Sequence, residues 1–381
     1  IKECDWSSDV CSSDLIDLSG LTSLAGGSSG NTQIKALSGG ELLLSGAVTG
    51  RTIWTLDGTG GVMDVSGVTS LVDATVNVSG GASLDFSTLI TLARVNLYAS
   101  GGGDILFPVA TSYSASGDGG SHSIQANGAG SRIDLSHLTT LTGGTYYNLA
   151  ISAATGGEID LAGAVTAKTS LSLFDASSIL DVSGVSSLQD TNVTTSGGVL
   201  NFAVLTTLRK ANLTANGGGT IQFPAATSYS ASGDGGSHSI QANGAGSRID
   251  LSHLTTLTGG TYYNLAISAA TGGEIDLAGA VSGRNSITVS DTSSLVDVST
   301  ITSLSGTTLN SAQSLTFAAA ASITDSSLTA SGITLSFPVL TALGRTNLTA
   351  SAGGEIAFPV ATSYSASGDG GSHSIQANGA G

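Results

Sequence analysis

Aspartate recurs at one position of a short repeating pattern, and these carboxylates are the chain's strongest candidates for chemistry. The pattern is apolar-x-apolar-x-x-apolar-x-x-apolar, as in residues 133–141, and aspartate often occupies its second position. If successive copies stack as parallel strands, the carboxylates lie about 5 Å apart on one face. Like charges at that distance repel one another or recruit a cation, and ligand sets made only of oxygen suit calcium.

The consecutive copies are compatible with a cation ladder, with calcium as the only cofactor considered. Its metal ligands would be Asp134, Asp160, Asp181, Asp250, Asp276 and Asp297. The alternative interpretation is that these aspartates face solvent, keep the chain soluble and block pairing at sheet edges.

Two pairs of adjacent tyrosines are the best candidates for ligand contact. They are Tyr146 with Tyr147 and Tyr262 with Tyr263, and each pair lies in an insertion that lengthens one copy of the pattern. Insertions in repeat proteins map to one face, which is often the binding face. Because amphipathic rings anchor interfaces, we predict contact with a glycan or a protein.

All five histidines lie in segments of the chain that are duplicated. One such segment, residues 117–122, places Asp118 four residues before His122. No second ligand pair and no HExxH or CxxC spacing accompanies them, so the segment is interpreted as a loop and not as a metal centre.

The composition restricts the elements that position these side chains. The chain has 381 residues, of which 40% are hydrophobic, 10% charged and 5% aromatic, with 54 glycines. It is too apolar for a disordered chain, and its small residues predict thin apolar layers separated by turns. The net charge of −16, with 11 scattered Lys and Arg, argues against nucleic acid as a partner. No run of eighteen apolar residues occurs, so no membrane-spanning segment is predicted.

Internal repetition is the dominant feature of the chain. Residues 110–165 recur identically as residues 226–281, and residues 110–130 recur again as 361–381. Within these long copies the short apolar pattern returns every 19–28 residues, which gives about sixteen coils. The first apolar positions are Ile16, Leu42, Met63, Leu84, Ile105, Ile133, Ile159, Leu180, Leu200, Ile221, Ile249, Ile275, Val296, Leu315, Leu335 and Ile356.

Each coil has the pattern of short strands separated by turns rich in glycine. Leu84, Asp85 and Phe86 alternate with the period of a strand, and Gly80-Gly81 suits a tight corner. A single coil has too few apolar residues to fold alone, so neighbouring coils must stack and share a core. We therefore predict an all-β fold, a parallel β-helix or β-solenoid of about sixteen stacked coils. The alternative is a solenoid of the leucine-rich-repeat kind, because residues 337–348 loosely imitate its leucine spacing.

The beginning of the sequence fits no copy of the repeat. Residues 4–15 resemble translated sequencing-adapter sequence, a contaminant of assembled metagenomic reads. Both cysteines, Cys4 and Cys11, lie there, so the remaining chain predicts no disulfide. We expect residues 1–15 to be a non-native segment and residues 16–381 to form a single β-solenoid repeat domain, truncated at both ends.

The stacked pattern resembles large exported bacterial proteins with β-strand repeats, of the kind found in adhesins and autotransporter passenger regions. The resemblance covers nearly the whole chain from residue 16, although the motif is degenerate. It implies a non-catalytic structural or adhesive rod, secreted or at the bacterial cell surface, with a host or matrix glycan or protein as partner.

Two other functions remain open from the sequence. One is a carbohydrate-binding or carbohydrate-active β-helix similar to polysaccharide lyases. A lyase needs acids together with Lys or Arg on one face, whereas the basic residues here are solitary. The other is a stalk that presents an active domain outside this sequence.

Overall fold

The computed structural model describes residues 14–37, 39–233, 235–368 and 370–379. Within these ranges the regular elements are all β-strands, with no helix, and the strands pair in parallel. They form a β-solenoid of about sixteen coils, which confirms the predicted fold class. The helical backs expected of a leucine-rich repeat are absent from these described ranges.

The chain divides into two compact units. The first comprises Ile1–Ser172 and Ser177–Asp181, and the second comprises Leu173–Ala176 and Val182–Gly381. Most of the N-terminal segment that is expected to be non-native, residues 1–13, lies outside the described residues. That boundary and the assignment of a single repeat domain stay predictions.

In the first unit each coil contributes front strands, which begin with the predicted apolar pattern, and one back strand. The front strands are Leu15–Leu18, Ser23–Ala25, Glu41–Thr49, Val62–Val72, Ser83–Asp85, Thr91–Ala93, Asp104–Leu106, Ser112–Ser114, Arg132–Leu135, Thr140–Thr142 and Glu158–Thr166. The back strands are Thr32–Leu37, Thr52–Asp57, Ala74–Ser79, Asn96–Ser100, Ser123–Asn127 and Leu149–Ala154. Two further strands, Thr169–Leu173 and Ile179–Gln189, contain residues of both units.

The second unit repeats this arrangement. Its front strands are Val199–Asn201, Thr207–Arg209, Thr220–Gln222, Ser228–Ser230, Arg248–Leu251, Thr256–Thr258, Glu274–Ser282, Leu295–Ser305, Leu315–Thr316, Ser322–Thr324, Thr334–Ser336, Ala342–Gly344, Glu355–Ala357 and Ser363–Ser365. Its back strands are Thr191–Ser196, Asn212–Asn216, Ser239–Asn243, Leu265–Ala270, Asn285–Val289, Thr307–Ser311, Ser327–Ser331, Asn347–Ser351 and Ile375–Asn378.

The pairing follows the register that the apolar pattern predicts. In the first unit Ile105 pairs with Ile133, and Ile133 pairs with Ile159. The corresponding pairs in the second unit are Ile221–Ile249, Ile249–Ile275 and Ile275–Val296. In these coils each first apolar residue therefore lies over its counterpart in the next coil, and the buried side chains form a column within each unit.

Phenylalanine fills the core at one recurring position. Phe86 stacks on Phe107 with ring centroids 5.1 Å apart and an interplanar angle of 7°. In the second unit Phe202 stacks on Phe223 at 5.0 Å, and both rings are buried. Offset-stacked aromatic pairs add about 0.5–1.5 kcal/mol beyond the area that they bury. The stack therefore joins neighbouring coils through their side chains as well as their backbones.

Glycine is required where the chain passes close to the coil before it. A Cβ atom built at Gly157 would lie 2.2 Å from the carbonyl oxygen of Ala126, a backbone atom of the preceding coil. The same overlap occurs at Gly103, Gly273 and Gly354, with distances of 2.2, 2.1 and 2.2 Å. Because these four glycines have no positive φ, the requirement is for space and not for a left-handed backbone.

The structure also bears on membrane insertion. Over the described part of the chain, no helix is long and apolar enough to cross a membrane.

Substitution of Gly157 by alanine tests the close approach between coils. We expect the change to lower the free energy of unfolding by about 1–3 kcal/mol, because backbone must move to admit the methyl group. The matched control is Gly119→Ala, since nothing lies within 4 Å of a Cβ there. That control is expected to leave stability unchanged or to raise it by up to about 1 kcal/mol. Urea denaturation measures both, and equal midpoints would contradict the stacking constraint.

Truncation of a stacked ring tests the core. We expect Phe223→Ala to lower the free energy of unfolding by about 3–5 kcal/mol, because a buried ring and its stacking partner are lost. Phe174→Ala serves as the control, because that ring is 55% exposed. Chemical denaturation followed by circular dichroism compares them. A control as destabilised as the core variant would show that the stack is not what holds the second unit together.

Candidate functional site

In each unit a pair of insertions stack on one another at the corner between front and back strands. In the first unit these are the His loop, residues 115–122, and the tyrosine turn, residues 143–148. The amide of Ala115 donates to the carbonyl of Thr142 at 2.8 Å, and the amide of Gly117 donates to Thr145 Oγ1 at 3.3 Å. The second unit repeats both contacts at residues 231–233 and 258–261, with distances of 2.8 and 3.1 Å.

The His loop is closed by an asparagine of the preceding coil. Asn96 Oδ1 accepts a hydrogen bond of 2.8 Å from the amide of Ser123, directly after His122. The second and third copies are closed in the same way, by Asn212 on Ser239 and by Asn347 on Ser374, each at 2.8 Å. These asparagines recur twelve residues after the first apolar position, and that spacing is visible in the sequence.

Contacts to its backbone atoms hold the tyrosine turn in place. Gly144 forms an antiparallel bridge with Lys168, and a Cβ at Gly144 would lie 2.0 Å from the carbonyl oxygen of Tyr147. The ammonium of Lys168 donates to the carbonyl of Tyr146 at 3.1 Å. Since these contacts involve backbone atoms of the tyrosines, both rings are left to face solvent.

All four candidate tyrosines are exposed. Tyr146 and Tyr147 are 70% and 58% exposed, and Tyr262 and Tyr263 are 71% and 57% exposed. The second tyrosine turn contains the matching bridge, between Gly260 and Arg284. The structure therefore brings the members of each pair together on a fixed turn, one pair in each unit, and their contact with a ligand stays a prediction.

The aspartate column is stacked as its spacing predicts. Asp134 pairs in register with Asp160 in the first unit. In the second unit Asp250 pairs with Asp276, and Asp276 pairs with Asp297. Asp181, the remaining member of the predicted ladder, lies exposed on the strand Ile179–Gln189.

Arginine lies between these carboxylates, which sequence reasoning did not anticipate. Arg132 Nη2 lies 2.9 Å from Asp134 Oδ2 and also contacts Asp160 Oδ2. In the second unit Arg248 Nη2 lies 3.4 Å from Asp250 Oδ2 and contacts Asp276 Oδ2. Each arginine precedes the first isoleucine of its coil, so residue order alone places it on the face of the aspartate two residues later.

Five aspartates at the second position of the apolar pattern, three of them from the predicted ladder, accept a hydrogen bond from the serine two residues further along the chain. The amide of Ser136 donates to Asp134 Oδ1 at 3.0 Å, and that of Ser252 donates to Asp250 Oδ1 at 3.0 Å. The same bond joins Asp17 to Ser19, Asp64 to Ser66 and Asp297 to Ser299, each at 2.9 Å. Aspartate thus satisfies a backbone donor of the front strand or of the turn that follows it, which gives the column a structural role.

Burial and nearby charges shift the pKa values of two paired acids of the second unit, Asp250 and Asp276, in opposite directions. Asp250, Glu274 and Asp276 surround the one guanidinium of Arg248. Burial, together with repulsion from Glu274 and Asp250, raises the pKa of Asp276 to about 6 despite Arg248. Burial acts on Asp250 in the same direction, but hydrogen bonds from Ser252 and the charge of Arg248 outweigh it, and the pKa of Asp250 is lowered.

In the described parts of the chain, no group of three or more His, Cys, Asp or Glu side chains is arranged to hold a metal ion. In each unit the guanidinium of an arginine lies between carboxylates of the predicted ladder, where a cation would otherwise lie. Calcium binding by the six aspartates stays a prediction.

The chain was compared with known proteins. No protein-family model, no curated protein and no solved structure matches it.

Replacement of Asp276 and of Asp250 by asparagine should have opposite effects on the stability of the fold. As pH rises from the ordinary carboxyl value of 3.8 through about 6, ionisation of Asp276 costs the folded state more than the unfolded one. Asp276→Asn removes this cost, so we expect it to raise the urea midpoint at pH 8 and to have little effect at pH 4. The lowered pKa of Asp250 stabilises the fold above pH 3.8 and is lost as pH falls below it.

The matched variant Asp250→Asn is therefore expected to lower the midpoint at pH 8, with a smaller loss towards pH 3. If both variants lowered the midpoint equally at pH 8, the contact with Arg248 would dominate over burial at Asp276.

Proposed function

We propose that this chain is a non-catalytic structural and adhesive scaffold of an exported or cell-surface protein. Its stacked coils present the tyrosine turns to a glycan or protein of a host or matrix. The observation that supports this proposal best is the pair of adjacent tyrosines, 57–71% exposed, on the same turn of both units.

Exposure of paired rings on a fixed turn favours a binding role. Aromatic side chains contribute strongly to interfaces, because they bury much area and lose little conformational entropy. Here the turn is ordered before any ligand arrives, since Gly144 and Lys168 hold its backbone. Binding would therefore require little further ordering of the turn.

Duplication favours adhesion over recognition of a single small molecule. Residues 110–165 and 226–281 are identical, so both tyrosine turns offer the same chemistry. Two weak sites in one chain that engage a repetitive surface can increase the apparent affinity by about 10²–10⁴. A glycan or a matrix protein supplies such a repetitive surface.

The distribution of acids and bases is consistent with a role other than catalysis. Arg132 and Arg248 are engaged with acids of their own face, and the aspartates of that face cap serine amides. Export to a surface is supported by a repeat region that is poor in lysine, rich in serine, threonine and glycine, and without cysteine after Cys11.

The experiment is a surface-binding assay with the full chain. Glycan arrays and immobilised extracellular-matrix proteins are probed with wild type, with Tyr146→Ser/Tyr147→Ser, and with all four tyrosines replaced by serine. We expect loss of one pair to weaken apparent binding more than about tenfold and loss of both pairs to abolish it.

Phe174→Ser is the control, because it removes a ring that is 55% exposed outside the tyrosine turns. It should bind like wild type, and thermal denaturation should be unchanged in all variants. Wild-type binding that survives loss of all four tyrosines, or a wild type that binds neither kind of surface, would contradict the proposed function.

A further inference from the structure

A polar groove runs along the corner of the first unit and is distinct from the aspartate column. Its volume is about 620 Å³. It extends over five successive coils, from Gly27 through Arg51, Asp73 and Arg94 to the His loop at Asp118. Four rung spacings give it a length of about 19 Å. The volume lies within the range of about 300–1,000 Å³ that is usual for sites of small ligands.

Insertions form the ends of the groove, and tight turns form its floor. At one end lies the glycine-rich turn at residues 26–31, which corresponds in sequence to the tyrosine turn. At the other end lies the His loop, residues 115–122. Between them the coils turn within one or two residues, at Gly50-Arg51, Asp73 and Arg94. A linear ligand can therefore lie along the stack, and one rung is close to the length of one sugar ring.

Of the two arginines in the groove, one forms an ion pair and the other does not. Arg94 is paired with Asp73 through two bonds, Nε to Oδ1 at 2.6 Å and Nη2 to Oδ2 at 3.0 Å. Arg51 is fixed through its backbone, whose amide donates to Gly27 and whose carbonyl accepts from Thr32. Its guanidinium is exposed and makes no hydrogen bond or ion pair with any residue that the structure describes.

The acid at the far end is already satisfied. His122 Nε2 lies 3.1 Å from Asp118 Oδ1, and the ring is only 8% exposed. His122 Nδ1 is buried and makes no hydrogen bond within the described residues, so the contact of this ring with the loop is made through Nε2. Asp73 and Asp118 are thus committed to Arg94 and His122, and Arg51 is left as the groove's cation without an acid.

We propose that this groove binds a linear saccharide that bears carboxylates, and that Arg51 pairs with one of its carboxylate groups. This inference rests on the proposed adhesive function and deepens it, because it names the class of glycan and a site for it. A guanidinium binds a carboxylate through two parallel hydrogen bonds, which selects an acidic sugar over a neutral one. Hydroxyl groups of the sugar would be held by other polar groups of the groove, among them the exposed Ser28 and Asn31.

Other ligands fit the groove less well. A free metal cation would meet Arg51 and Arg94 at the floor. A nucleic acid would need several cations without partners, while the chain carries a net charge of −16. An apolar ligand finds few apolar side chains, because most of the groove is lined by charged residues, amides, hydroxyls and glycine.

The test is titration calorimetry of the full chain with trigalacturonate, and with fully methyl-esterified trigalacturonate as the neutral probe of the same length. We expect trigalacturonate to bind and the ester to bind at least about tenfold more weakly. Arg51→Gln should weaken binding of trigalacturonate about 10- to 100-fold, as is usual for a charge-assisted pair. Arg51→Lys should fall between wild type and Arg51→Gln, because it keeps the charge and loses the planar fork.

Arg209→Gln is the charge-matched control, since Arg209 is exposed on a front strand of the second unit and should leave the affinity unchanged. Binding of the ester as tight as that of the acid, or Arg51→Gln as tight as wild type, would overturn the inference. So would the absence of any heat with trigalacturonate. If surface binding that depends on the tyrosines persists in that case, only the groove assignment fails. If trigalacturonate binds and the tyrosine variants lose nothing, the proposed function fails and the groove stands.

Discussion

Parallel, in-register pairing between successive coils is the interaction on which the rest of the molecule depends. A strand of three to six residues cannot satisfy its own backbone donors and acceptors, so each strand relies on the strand one coil away. This requirement fixes the other features. Apolar residues must recur at the same place in each coil, as Ile105, Ile133 and Ile159 do. Where backbones come closest, as at Gly157 beside Ala126, no side chain can be admitted.

The coil register was predictable because two periodicities coincide in the sequence. Alternation within a strand identifies which residues point inwards, and recurrence every 19–28 residues identifies which of them are neighbours. The aspartate column follows from the same register, and so do the exposed tyrosines, because residues inserted into a coil cannot enter a core that is already filled. The division into two compact units was not visible, because the apolar pattern runs through residues 173–182 without a change of character.

The parts of the site that sequence reasoning missed are those that depend on side chains meeting across coils. Arg132 and Asp134 are two residues apart, so their common face could have been read directly, whereas the contact with Asp160 needs the register of the next coil. The groove was harder to foresee. It is made by corners, and corners differ in length from coil to coil, so Arg51 lies nine residues after the first apolar residue of its coil, whereas Asp73 and Arg94 lie ten residues after theirs. In repeat scaffolds the constant strands provide stability, and the variable turns provide recognition.

The identity of the two long copies has a consequence for the length of the chain. Ser112 pairs with Thr91, and its counterpart Ser228 pairs with Thr207. If residues 110–225 were excised, Ser228 would take the place of Ser112 against Thr91, with the same neighbours above and below. Every strand pairing across the new junction would already exist in the present molecule. Recombination between the copies can therefore remove or add five coils at a time without creating a new kind of strand pairing. Each added block of five coils contains its own pair of tyrosines.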